Sequence, residues 1–120
     1  MRERGWPGYS FPVISKDRCL VILVTAPHPR VARKLAAEIL RTKAAACVSL
    51  VPGIESHYVW RGKLERSKEV LLLIKTTNRR LPALRKVVER IHPYEVPEFI
   101  ALPITTGSRP YLQWLKKSVA

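Results

Sequence analysis

Cysteine is scarce in this chain, and the spacing of its two cysteines argues against several kinds of protein. Cys19 and Cys47 lie far apart and form no CxxC motif, which argues against a zinc knuckle and against a disulfide scaffold. Free thiols are typical of a reducing compartment. Arg2 and Arg4 are followed by Gly-Trp-Pro-Gly instead of the apolar run of a secretory signal. We therefore expect a cytoplasmic protein.

Long hydrophobic runs are also missing. The first apolar run, residues 20–24, has the length of a strand and falls far short of the roughly 18 to 20 residues of a membrane helix, so we expect no membrane partner. A chain of 120 residues with 47% hydrophobic side chains fits one domain with its own core. Glycine and proline near the start predict a flexible tail over residues 1–17, followed by a domain over residues 18–120.

Acidic residues are few. The chain has 9 Asp+Glu against 22 Lys+Arg, which gives a net charge of +13. Such a balance raises nucleic acid or another polyanion as a partner. The basic residues are nevertheless spread from Arg2 to Lys117 without a block of five or six, which is typical of a solvated surface. Both interpretations stay open.

Hydrophobic periodicity predicts the order β-α-β-β-α-β with a short helix after it. Pro29 suits the first position of the first helix, and Asn78 is a plausible cap of the second. The order is that of the ferredoxin-like α+β sandwich, in which two helices cover one face of a four-stranded antiparallel sheet. The predicted elements are residues 20–24, 30–43, 47–60 with a bend at 52–53, 69–75, 80–91, 99–104 and 111–115.

The third predicted strand argues for self-association. Residues 70–74 are all apolar, although a sheet face that meets water normally shows alternating polar side chains. The helices of one short chain cannot cover both faces, so a second copy is the simplest cover. Residues 20–24 and 70–74 contain no aromatic side chain on which a base could stack, which leaves only non-specific phosphate contact for nucleic acid.

Chemically able side chains concentrate in residues 92–103. His92, Tyr94 and Glu98 are held there among Pro93 and Pro97, and a rigid frame with an imidazole and a carboxylate suits a metal or small-ligand site. The alternative is structural: His92 caps the preceding helix, and Glu98 hydrogen-bonds a neighbouring backbone. No nucleophile elbow, phosphate loop or HExxH motif accompanies these residues, so we expect no enzyme.

Several stretches in order resemble the CutA divalent-cation-tolerance family. The resemblance covers residues 20–116 without large gaps and is most detailed from His92 to Pro103. It implies a ferredoxin-like subunit in a homotrimer, tolerance of divalent ions, copper binding as reported for members, and no established reaction. The other stretches that carry the resemblance are Val24–Pro27, Ala44–Val48, Val51–Ile54, Glu69–Thr76 and Pro110–Leu112.

The resemblance also implies site residues. Cys47 and His92 match positions associated with copper in the family, and Glu98 supports them; thiolate and imidazole suit copper or zinc. The alternative for Cys47 is a small buried hydrophobe. No ion is expected to be needed for folding. The residues implied for an inter-subunit ligand cleft, beside His92 and Glu98, are Tyr58, Trp60, Lys75 and Tyr94.

Three features depart from the family pattern. Val24 stands where some members carry a cysteine, which excludes a site that depends on that thiol. His57 replaces an aliphatic residue and is either a new ligand or an exposed polar side chain. The charge of +13 does not attract metal cations, which keeps a second function open: a basic ferredoxin-like module that binds nucleic acid or another polyanion non-specifically.

Overall fold

Residues 14–120 are described by the computed structural model, and they form four strands and three α-helices. A single turn of 3-10 helix, Asn78–Arg80, leads into the second α-helix. The elements are β1 (Cys19–Ala26), α1 (Pro29–Arg41), β2 (Cys47–Trp60), β3 (Lys63–Thr77), α2 (Leu81–Ile91), β4 (Ile100–Pro103) and α3 (Arg109–Ser118).

The four strands form one antiparallel sheet in the order β2-β3-β1-β4. β1 and β3 are central and pair along their whole common length, from Cys19 opposite Thr77 to Ala26 opposite Val70. β2 and β4 are the two edges. This order and direction confirm the ferredoxin-like α+β fold predicted from the sequence.

The core lies between the sheet and the first two α-helices. Alternate residues of β1, namely Leu20, Ile22 and Val24, are at most 1% exposed, because successive side chains of a strand point to opposite faces. The same alternation buries one face of β3, and each helix contributes one apolar stripe. The buried side chains that meet them include Ala32, Leu35, Ile39, Val70, Leu72, Ile74, Leu84 and Val88.

The two helices begin and end close to the predicted positions, with local differences. α1 begins at Pro29, as predicted, but ends at Arg41 because Lys43 takes a left-handed φ of 57°. Asn78 does not cap α2: its side-chain amide donates to the carbonyl of Ile14 at 3.3 Å, and Arg80 precedes the helix without a side-chain cap.

The β2–β3 hairpin is longer than predicted. β3 begins at Lys63 instead of residue 69. Its first six residues, which are polar apart from Leu64, pair with β2 in a ribbon that extends beyond the core. Arg61 and Gly62 form the turn with positive φ values of 52° and 79°, as a two-residue hairpin loop of the I′ type requires. The predicted bend at 52–53 is an irregularity between Val51 and Ile54.

α3 lies on the sheet face opposite α1 and α2. It contacts β3 and β1, and its Leu115 and Val119 are buried. It extends the predicted residues 111–115 in both directions and begins at Ser108, whose hydroxyl accepts a hydrogen bond from the Tyr111 amide at 3.4 Å. This helix covers only part of the face, so apolar side chains such as Ile100 and Leu102 stay 45% and 46% exposed.

The predicted tail, residues 1–17, falls largely outside the described residues, which begin at Ile14. Ile14 packs against the core, and the carbonyl of Lys16 accepts the Arg79 amide at 2.8 Å. These contacts tie residues 14–16 to the turn before α2. Within residues 14–120, none of the helices has the length and apolar character needed to cross a bilayer.

Candidate functional site

A cleft of about 820 Å³ lies between the β2–β3 hairpin and residues 93–98. Tyr58 and Trp60 reach it from β2, and Tyr94 faces them from the segment after α2. Glu69 of β3 and Glu98 add carboxylates to the lining. The structure therefore brings together three of the four residues predicted for the ligand cleft, together with Glu98.

Proline sets the path of residues 92–98. His92 ends α2 with φ −67° and ψ 131°, the extended conformation that a following proline favours. Its backbone N–H still donates to the Val88 carbonyl at 2.9 Å, so the chain leaves the helix at a fixed point. The segment then crosses toward the hairpin and forms one side of the cleft.

The His92 ring is buried, and both of its nitrogens are occupied. Nε2 donates to the Thr25 carbonyl at 2.6 Å, and Nδ1 accepts the backbone N–H of Tyr94 at 3.1 Å. These partners require the neutral ring with its proton on Nε2. Burial lowers the pKa of His92, and its hydrogen bond to Thr25 and the charge of Glu69 only partly offset that effect. The ring thus joins α2 to β1 and leaves no lone pair for a metal ion.

Tyr94 and Glu69 form the polar base of the cleft. The Tyr94 hydroxyl donates to Glu69 Oε2 at 2.7 Å, and its ring lies 4.8 Å from the His92 ring. Burial, and then the hydrogen bond and charge of Glu69, raise the pKa of Tyr94 well above its usual value, so the hydroxyl stays a donor. Glu69 was not predicted as a site residue. The available signal was a lone carboxylate at the start of an otherwise apolar strand.

Glu98 and Glu95 stand nearer the mouth of the cleft. Burial of part of its side chain, together with the nearby Glu69 charge, raises the pKa of Glu98. Glu95 forms an exposed ion pair with Arg61 at 3.3 Å. Carboxylates from β3 and from the 93–98 segment therefore face one cavity.

Cys47 and Lys75 lie at the other end of the sheet. They are opposite each other on β2 and β3, and the lysine Nζ lies 3.9 Å from the Cys47 sulfur and donates to Ser49 Oγ at 2.8 Å. Burial, with smaller contributions from the Cys47 thiol, raises the pKa of Tyr111 on α3. Lys75 does not line this cavity of the subunit, because it lies six positions along β3 from Glu69, about 20 Å at ~3.3 Å per residue. Its place in a cleft between subunits stays a prediction.

The three predicted copper ligands do not fit a metal site within one subunit. Cys47 belongs to the cluster just described, whereas Glu98 lines the cleft. His92 lies beside Tyr94 and outside the lining, and both of its ring nitrogens are already hydrogen-bonded. Across residues 14–120, no three His, Cys, Asp or Glu side chains lie close enough together to hold an ion. His57 is exposed and bonded to Glu55 at 2.9 Å.

Residues 20–118 match the profile of the family described as CutA1 divalent ion tolerance protein. The divalent-cation tolerance protein CutA of Thermus thermophilus is 46% identical over 98 residues, which cover 82% of this chain and 95% of that protein. The human protein CutA is 48% identical over 94 residues, or 78% of this chain and 52% of that protein. The chain thus spans about half the length of the human relative.

The fold agrees with this match. The crystal structure of CutA1 from Oryza sativa superposes with a TM-score of 0.83 at 48% sequence identity, over 86% of this chain and 94% of that one. Sequence and fold therefore agree over nearly all of the described residues, and the family resemblance seen in the sequence is confirmed. The chain belongs to the CutA1 family of divalent ion tolerance proteins.

Proposed function

We propose that the protein is a non-enzymatic, cytoplasmic homotrimer that serves tolerance of divalent cations by binding an ion or small ligand in the cleft between the β2–β3 hairpin and residues 93–98. The observation that carries this proposal is the cleft itself: aromatic and carboxylate side chains from distant parts of the chain converge on one cavity. Concave sites with an apolar wall and a few polar groups are the usual form of ligand sites. The subunit boundary completes the cleft in this proposal.

Exposed apolar side chains support the homotrimer. Val59 and Leu64 of the hairpin are 68% and 82% exposed, and Leu102 of β4 is 46% exposed. Large apolar groups left uncovered on a hairpin and an edge strand are typical of surfaces that pack against another copy.

Leu102→Lys tests the assembly, with Leu40→Lys as its matched control. Leu40 is 45% exposed on α1, on the other face of the molecule, so both variants should leave the subunit folded. We expect native mass spectrometry and light scattering to give three 13.7 kDa subunits for the wild type and the control, and smaller species for Leu102→Lys. A monomeric wild type at micromolar concentration would overturn the trimer.

Hydrogen bonding supports the absence of catalysis. Two groups able to move a proton at or beside the cleft are occupied: the His92 ring by Thr25 and the Tyr94 amide, and the Tyr94 hydroxyl by Glu69. A general acid or base needs a free position within hydrogen-bond reach of its substrate. This arrangement suits a binding site whose shape is fixed before the ligand arrives.

Copper binding through Cys47, His92 and Glu98 stays a prediction, and the geometry limits its form. Since the three side chains do not converge within one subunit, an ion held by them must draw ligands from more than one subunit. His92 can join such a site only if its ring gives up its hydrogen bond to Thr25 or to the Tyr94 amide. We expect Cys47→Ser and His92→Ala each to lower copper affinity in calorimetric titrations of the intact oligomer. Unchanged titrations for both variants would leave these residues with structural roles.

A further inference from the structure

The cleft is acidic within a basic protein. Lys and Arg outnumber Asp and Glu by 22 to 9 in the chain, yet the cleft lining contributed by residues 14–120 includes Glu69, Glu95 and Glu98 and neither a lysine nor an arginine. Exposed charges farther away than about 8 Å are largely screened at physiological ionic strength. Of the three carboxylates, Glu95 is already paired with Arg61 at 3.3 Å. The negative charge that a cation could meet in the lining therefore comes from Glu69 and Glu98.

The deepest of these carboxylates has no cationic partner in the described part of the chain. Glu69 is 7% exposed, and the hydrogen bond it accepts comes from the neutral Tyr94 hydroxyl. A buried carboxylate normally pairs with a positive group. Glu69 also lines the cavity, so a cation that enters the cleft can supply the missing charge.

Aromatic walls narrow the choice of cation. Tyr58, Trp60 and Tyr94 line the same cavity, and aromatic faces attract ammonium groups and contact alkyl chains. Trp60 already accepts such a contact, because the Arg61 guanidinium lies 5.3 Å from the centre of its ring. An inorganic ion gains little from these walls, whereas an organic ammonium ion can contact them and the carboxylates together.

The spacing of the carboxylates also favours an organic ammonium ion over a metal ion. Glu69, Glu95 and Glu98 line the same cavity. They are too far apart to hold a metal ion together, and residues 14–120 contain no other group of three His, Cys, Asp or Glu side chains that could hold one. Separate negative charges along a cleft match separate positive charges along a flexible chain. The length of a linear amine lets each ammonium group meet a different carboxylate.

We propose that this cleft binds a linear aliphatic polyamine, with its ammonium groups on Glu69 and Glu98 and its methylene chain between Tyr58, Trp60 and Tyr94. The inference rests on the proposed function, since it takes the cleft as the ligand site and names the chemical class of the ligand. Divalent cations and polyamines then compete for the same carboxylates, which gives the cleft a sensitivity to both.

Calorimetric titration of the intact oligomer with spermidine tests the charge part of the proposal. We expect saturable binding at physiological ionic strength, with affinity lowered about three- to fivefold by Glu98→Gln, as the loss of one partly screened ion pair implies. Glu55→Gln is the matched control, because it removes the same charge from the hairpin at a residue outside the cleft lining. Equal losses for both variants would mean attraction to overall charge and would overturn the site.

Tryptophan fluorescence tests the aromatic part. Residues 14–120 contain Trp60 and Trp114, which are 42% and 47% exposed. Of these two, Trp60 lines the cleft and Trp114 does not. Spermidine should change the emission of the wild type and of Trp114→Phe, and should leave Trp60→Phe unchanged. A spermidine response that survives in Trp60→Phe would place the amine elsewhere and overturn the inference.

A parallel titration with magnesium and copper separates this inference from the proposed function. If an ion binds in a manner that depends on Glu69 and Glu98 while spermidine does not bind, the polyamine is wrong and the cleft remains the ligand site. If neither the ions nor spermidine respond to Glu98→Gln or Glu69→Gln in folded protein, as judged by thermal melting, both proposals fail.

Discussion

At the scale of single residues, the buried His92 ring is fixed by hydrogen bonds to both of its nitrogens. The ring is 8% exposed and bonds a β1 carbonyl on one side and the Tyr94 amide on the other. A protonated ring would have to give up the second bond, because Nδ1 would then carry a hydrogen. The orientation of the 93–98 segment therefore depends on a neutral histidine.

This dependence predicts how stability varies with pH. Burial lowers the pKa of His92, so the unfolded chain takes up a proton at about 6.5, whereas the folded chain does so only at lower pH. Between these values the unfolded state binds more protons, and the free energy of unfolding therefore falls as pH drops below about 6.5. Urea denaturation at a series of pH values from about 7 to about 5 measures this fall in the free energy of unfolding.

Variants assign the effect to one histidine. His92→Gln should be less stable than the wild type at neutral pH and should show a flatter pH profile. His57→Gln is the control, because His57 is exposed and bonded only to Glu55, and it should keep the wild-type slope. A slope that survives unchanged in His92→Gln would contradict the prediction.

At the scale of elements, the β2–β3 hairpin determines the shape of the cleft. Its cleft-facing side carries Ser56, Tyr58 and Trp60, and the hydroxyls of Tyr58 and Ser67 bond across the two strands at 3.0 Å. The ribbon lies largely outside the core, so its register depends on this pairing and on the turn.

The turn provides a prediction for this element. Gly62 has a φ of 79°, and no atom lies within 4 Å of the position a Cβ would take. Gly62→Ala should therefore destabilise the protein by about 1 kcal/mol through backbone strain alone, whereas Gly62→Asn should cost less, since asparagine tolerates this conformation. Thermal melting of the two variants gives the comparison, and equal destabilisation by both would contradict this cause.

The elements were predictable where burial gives a clear pattern. Residues 20–24 and 70–74 are apolar because they form the sheet centre, and the periodicity of α1 follows from its one buried stripe. The first half of β3 was missed because residues 63–68 are polar apart from Leu64 and pair with β2 outside the core. Asn78 was assigned as a cap because its residue type favours caps, but its amide bonds Ile14, a contact that depends on how the chain packs.

At the scale of the whole molecule, exposed basic side chains lie on the helical layer and also on the β2–β3 hairpin, where Arg61, Lys63, Arg66 and Lys68 are exposed. The outer layer of α1 and α2 exposes basic side chains, including Arg33, Lys34 and Lys86, and its acidic Glu38 is already paired with Arg41 and Arg90. The carboxylates of the cleft lie on the hairpin side. A polyanion can therefore contact the helical layer or the hairpin through basic side chains.

The exposed basic side chains predict weak, salt-sensitive binding of polyanions without sequence preference. A charge reversal of Arg33 and Lys34 to Glu should lower the affinity for duplex DNA at low salt. It should also reduce the salt slope by about one unit for each phosphate that the variant no longer neutralises. Reversal of Lys116 and Lys117 on α3 is the control. Fluorescence anisotropy measures the affinity and the salt slope of both variants. Tight, sequence-selective DNA binding at physiological salt would contradict the prediction of weak, non-specific binding.

The site was predictable in its composition and less so in its arrangement. Tyr58, Trp60, Tyr94 and Glu98 line one cavity of the subunit, while the cleft implied by the resemblance lies between subunits and stays a prediction. Cys47 and Lys75 lie outside this cavity. A family motif gives the order of residues along the chain, but it does not give the distance that a strand places between them. The acceptor of the His92 ring lies 67 positions earlier in the chain, and no local pattern could identify it.

The short edge strand β4 has a consequence for how assembly can be observed. Because β4 pairs with β1 on one side only, alternate backbone amides along it point away from the sheet, toward whatever adjoins that edge. In a free subunit those amides would exchange with solvent deuterium as fast as a loop, while their inward neighbours would be slow. Uniform protection along residues 100–102 would instead report, amide by amide, that another chain has taken the open side of the strand.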